Sequence, residues 1–139
     1  MSDQVPLYNT CLSQVELDSL IGEIRSTSYI DEIESGEQPR EGSDLWNIIV
    51  PVKEASKDDS SFDSLIKHAG SKTTAIVIAN DKTQKSVLVI QVENGAKKDE
   101  LKVVPKDVIE ICSNLMAGNL DLSGFRSMSK GAEVFDSGR

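Results

Sequence analysis

The chain has 139 residues, with 23 acids against 15 bases for a formal net charge of −8, 38% hydrophobic residues and only two cysteines. That length suits one domain with a core of its own, needing no disulfide or metal staple. The acidity disfavours binding to nucleic-acid phosphates and anionic lipid, and six aromatics in all supply no base-stacking platform.

Residues 1–11 show no hydrophobic period and contain Pro6, which predicts an extended N-terminal arm. A helix then begins with a capping box, Ser13 and Glu16, and a staple between Leu12 and Leu17. Leu17, Leu20, Ile21 and Ile24 continue it as one apolar stripe. Gly22 inside it either weakens the helix by ~1 kcal/mol relative to Ala or marks close packing on another element. Residues 29–33 fit a helical extension or a short strand equally well. Residues 34–44, with two Gly, one Pro and several acids, read as a surface loop. Leu45 to Val52 then reads as a strand carrying the lone Trp46, with Pro51 marking an edge or a strand end. After a polar loop, Phe62, Leu65, Ile66 and Ala69 define a short helix stopped by Gly70.

The apolar centre is Thr73 to Glu93. Two Val- and Ile-rich runs flank a polar break and predict antiparallel strands. Ile76 and Ile78 share one face of the first run, and Ala75, Val77 and Ala79 the other, where small Ala side chains let a helix lie close. The second run puts Leu88, Ile90 and Val92 on one face and Val87, Val89 and Gln91 on the other, so both faces of the sheet are expected to be covered, one more fully. Asn94-Gly95 turns the chain into a polar third strand. Pro105 opens a helix with a Val108, Ile111, Cys112 and Leu115 stripe, which Gly118 ends. Residues 126–139 read as a flexible tail, with Val134 and Phe135 either part of it or a short docking motif within it. The resulting expectation is an α+β fold, an antiparallel sheet of three to five strands packed on two or three helices, spanning residues 12–125.

Chemistry is sparse. His68 is the only histidine, and its place beside a helix C-terminus suits a dipole interaction better than catalysis. Gly70 to Thr74 has the ending of a phosphate loop without its first Gly, and in the reverse helix-to-strand context. Asp58, Asp59 and Asp63 lack the order of a calcium loop. Cys112 fits the core as a small apolar residue, and the unpaired cysteine usage fits a reducing compartment, the cytosol of its own or a host cell. No apolar run reaches the ~20 residues of a membrane span, and no secretory leader pattern opens the chain.

Residues 1–70 hold 14 acids and five bases, whereas residues 71–139 hold nine acids and ten bases. This asymmetry favours a non-catalytic interaction module, an adaptor, inhibitor or chaperone-like protein, that meets a basic protein partner through Glu32, Glu34, Glu37, Glu41 and Trp46. No cofactor or metal is expected, and homodimerisation through an edge strand fits the same reading. The alternative is a small metal-dependent hydrolase or nuclease built on Asp81 and Glu93 with Lys97 or Lys98.

Overall fold

The computed structural model describes residues 4–33, 44–52, 62–70 and 72–138. Its strands are β1 (Val5–Asn9), β2 (Ile49–Pro51), β3 (Ala75–Ala79), β4 (Val87–Glu93), β5 (Ala96–Val103) and β6 (Val134–Phe135). The helices are α1 (Gln14–Arg25), α2 (Ser28–Ile33), α3 (Phe62–Ala69), α4 (Val108–Ala117) and α5 (Leu122–Met128), with one 3-10 turn at Pro105–Asp107 before α4.

The strands form one six-stranded sheet in the order β2-β1-β3-β4-β5-β6. Only β3–β4 and β4–β5 are antiparallel, while β1 pairs in parallel with both β2 and β3, and β5 in parallel with β6. The fold is therefore α+β in the broad sense, but the sheet is mixed and larger than the expected antiparallel one. Two segments read as peripheral account for the difference. The supposed arm contains β1, which lies inside the sheet, and the supposed tail contains the end of α5 and β6.

Pro6 sits in this inner strand without breaking a ladder. Val5 N–H donates to Ile48 O and Leu7 O accepts from Val52 N–H, so these residues face β2 and the nitrogen of Pro6 faces the β3 side. Pairing with β3 begins only at Leu7, opposite Val77, so no N–H is required of Pro6.

The connection from β1 to β2 carries α1 and α2 across one face of the sheet, and that from β2 to β3 carries α3 across the other. On the first face Leu7, Val77, Val89 and Val103 join the buried stripes of α1, α4 and α5. On the second, Tyr8, Ile76, Ile78, Leu88 and Ile90 meet Leu65 and Ile66 of α3. The alternation in β3 and β4 thus sorts side chains as the sequence predicts, with Ala75 and Ala79 on the heavily covered face. Residues 29–33 resolve as helix, and the strand expected over residues 45–52 shortens to three residues after a turn. β2 forms one edge of the sheet and Pro51 is its last residue.

Local chemistry explains the clearest element. Ser13 Oγ accepts from Glu16 N–H at 3.2 Å and Glu16 Oε1 accepts from Ser13 N–H at 2.9 Å, closing the capping box. Leu12 and Leu17 are both buried in the main core, as a staple requires. Gly22, by contrast, has no packing partner among the described residues, since a Cβ built on it meets no atom within 4 Å. Gly22→Ala is therefore expected to raise stability by ~0.5–1 kcal/mol, read as a higher denaturant midpoint at unchanged slope.

Candidate functional site

The apolar stripe of α1 fixes what its other side presents. Leu17, Leu20, Ile21 and Ile24 face the sheet, so Asp18 and Glu23 are exposed. In α2, Ile30 is buried while Asp31, Glu32 and Ile33 are exposed. Ser28 Oγ donates to Glu32 Oε2 at 3.2 Å. Glu34, Glu37 and Glu41 lie outside the described residues. What is placed is an acidic helical face with two exposed apolar side chains, Val15 and Ile33, at 78% and 59% exposure.

Trp46 lies in the turn before β2, half-buried against the main core. The guanidinium of Arg25 stands 5.4 Å from its ring centroid, a cation–π contact. Arg25 Nε also donates to Trp46 O at 3.0 Å, and its Nη2 to Ile49 O at 3.4 Å. Burial holds the Arg25 pKa below its usual value. Trp46 is thereby stapled to the last turn of α1 by a residue the sequence reading did not single out. A cleft of about 770 Å³ opens beside this turn, lined in part by Leu45, Ile48, Lys72 and Met116.

Among the described residues, five bases of the second half, Lys82, Lys97, Lys98, Lys102 and Arg126, are held in ion pairs. Lys97 pairs with Glu100 at 2.6 Å, Lys102 with Glu133 at 2.9 Å, and Lys98 with Glu93 at 3.0 Å and Asp121 at 3.3 Å. Lys82 reaches back to Glu16 at 2.7 Å, and together with the capping box this holds the Glu16 carboxyl down to about 2. These exposed pairs contribute little stability individually. Their consequence is local: they hold β5, α5 and the segment before β6 to one another, and tie Lys82 to the start of α1.

The β2 edge and the stretch of β5 that β6 leaves uncovered are blunted. At β2 the carbonyl of Ile49 is taken by Arg25 and Pro51 has no N–H. Along β5 the register shifts between Gln91 and Val92, leaving Lys98 as an extra residue. Lys98 and Asp99 then reach the same helix, Lys98 pairing with Asp121 and Asp99 accepting both Nη groups of Arg126 at 2.9 and 2.7 Å. Arg126 also donates to Glu100 O, capping that stretch of edge. Gln91 completes the clamp from β4, donating to Asp121 Oδ1 at 3.0 Å and accepting from Leu122 N–H at 3.1 Å, so it caps α5 across the sheet. Such devices oppose edge-to-edge pairing at β2 and along the uncovered stretch of β5.

The residues considered for catalysis are held in structural contacts. Tyr8 Oη lies 2.9 Å from His68 Nδ1, with the two rings edge to face at 5.7 Å, and burial raises the Tyr8 pKa. Asp81 accepts from Thr83 N–H at 2.9 Å, Thr83 Oγ1 at 2.6 Å and Ser86 Oγ at 3.3 Å, the Thr83 bonds being the main cause of its lowered pKa. Glu93 ends the seven-residue β4, so it stands roughly 20 Å along the strand from the Asp81 turn. Burial pushes the Cys112 thiol up to about 12, in keeping with a core role, while Cys11 is exposed. Among the described residues no group of three or more His, Cys, Asp or Glu is arranged to hold a metal ion, and no helix is long and apolar enough to cross a membrane. Compared with known protein families, curated proteins and solved structures, the chain has no match.

Proposed function

We propose that this chain is a non-catalytic protein-binding module, an adaptor, inhibitor or chaperone-like protein, that recruits a basic partner through the outer face of α1 and α2. The observation that carries this reading is the exposure of Asp18, Glu23, Asp31 and Glu32 on two consecutive helices, next to Ile33. Glu34, Glu37 and Glu41 follow directly in sequence and extend the same charge. Acidic groups held on rigid helices steer an oppositely charged partner, and exposed apolar side chains among them supply contact area once it arrives. A free thiol at Cys11 and an unpaired one at Cys112 support a reducing compartment for this activity.

The test is a quantitative pull-down with the full chain, set against a variant carrying Asp18→Lys, Glu23→Lys, Asp31→Lys and Glu32→Lys. A stoichiometric basic protein retained at low salt, released at high salt and lost from the variant is the expected result. For the purified pair, the association rate should fall by ~10-fold or more on charge reversal and lose most of its salt dependence. Equal capture by both proteins at every salt concentration would remove the acidic face from consideration.

A further inference from the structure

The parallel strands β1, β2 and β3 begin around one cleft. Pro6 offers no N–H toward β3, and β1 pairs with β3 only from Leu7 opposite Val77, so the starts of the two strands are not laddered together. Gln4 before β1, Ile48 before β2 and Thr74 before β3 line the opening, as does the last turn of α4 through Met116. Its volume of about 770 Å³ falls within the range of small-ligand sites.

The lining divides by chemistry. Ile48 is buried, and Leu45 and Met116 pack half-buried on the main core, which makes an apolar floor. Two charged side chains, Lys72 and Asp44, share the cleft. Both are exposed, and neither makes a hydrogen bond or ion pair with any described residue. Lys72 is delivered by the Gly70 to Thr74 turn, the stretch with the ending of a phosphate loop. Thr73 N–H donates to Gly70 O at 3.3 Å and its hydroxyl to Ala69 O at 2.8 Å, which pins the residue next to Lys72. Asp44 opposes a phosphate dianion at this place. The C-terminus of α4 adds partial negative charge that favours an ammonium group.

We propose that this cleft binds a short zwitterionic peptide of two or three residues with aliphatic side chains. Its carboxylate meets Lys72, its ammonium meets Asp44 and the end of α4, and its side chains cover Leu45, Ile48 and Met116. One charge of each sign calls for a ligand that also carries both. Lys72 and Asp44 do not pair with each other, so the ligand's charged groups must be separated as well. The termini of two or three extended residues stand roughly 7–11 Å apart, whereas those of a single amino acid are adjacent. Binding here is independent of the acidic outer face of α1 and α2.

The test is a titration of the full ¹⁵N-labelled chain with leucyl-alanyl-leucine, its N-acetylated form and its C-terminal amide, followed by amide NMR shifts. The free tripeptide should give saturable shifts at millimolar concentration or below, confined to residues 44–48, 72–74 and 113–117. Blocking either terminus should weaken binding about fivefold, the effect of one solvent-touched ion pair. Lys72→Gln should weaken the free tripeptide by the same factor and leave the amide unchanged, and Asp44→Asn should do the same for the free and acetylated forms. Inorganic phosphate should leave these signals in place. Absence of saturation, shifts centred elsewhere, equal binding of all three peptides, or phosphate shifts as large as the peptide's each overturn the proposal. If Lys72 serves only the dipole of α4, Lys72→Gln lowers the denaturant midpoint and leaves the order of the peptides untouched, which overturns it too.

Discussion

Leu7→Ala is expected to lower the unfolding free energy by roughly 3–4 kcal/mol, in the middle of the range for buried Leu→Ala changes. Leu7 has no exposed surface and sits on β1 between β2 and β3, so its removal leaves a cavity that two parallel ladders hold open. Its neighbours on that face, Val77 and Val89, belong to strands fixed by the β3–β4 hairpin and cannot collapse freely into the gap. A loss of this size is about a fifth or more of the stability of an ordinary domain and lowers Tm by roughly 10 °C. Val15→Ala is the control: Val15 is 78% exposed, and its truncation should stay within about 0.5 kcal/mol. Urea unfolding followed by circular dichroism separates the two. Equal midpoints for both variants would place residues 5–9 outside the core and return them to the status of an arm.

That pair of variants also marks where sequence legibility ends. The β3–β4 hairpin is readable because β-branched runs and the polar break lie within about twenty neighbouring residues, and α1 because cap, staple and stripe coincide at one helix. β1 offers none of this. It is five residues long, contains Pro6, is buried on both faces so its pattern does not alternate, and pairs in parallel with segments some forty and seventy residues away. Parallel pairing leaves no turn signature between partners. β6 and α5 fail for a related reason. Two residues carry no period, and the donor that α5 needs satisfied at its start is met by Gln91 from another strand. At the candidate site, the outward acids of α1 follow from its helical period, whereas Glu32 could not be oriented until residues 28–33 were known to be helical. Trp46 was visible as the lone Trp, but its guanidinium partner lies 21 residues earlier, and nothing in the spacing points to that contact.

Phe135→Ala is the second large effect, at ~3–4 kcal/mol, and it bears on residues that resemble a tail by composition. The aromatic fills the space beside Phe125, and the edge-to-face contact adds ~0.5–1.5 kcal/mol beyond the area removed from water. Its backbone is also committed, because the Phe135 carbonyl accepts from Val104 N–H just before the turn that starts α4. Truncating the ring therefore loosens β6, and with it the Ser137 donors on buried Asp107, so the loss should exceed that of a Phe on an independent surface. A double-mutant cycle with Phe125→Ala isolates the ring pair, with an expected coupling of ~1 kcal/mol, since each single change removes the same contact. Coupling near zero would mean that the two rings are packed independently. An unaltered midpoint for Phe135→Ala alone would detach residues 134–138 from the core.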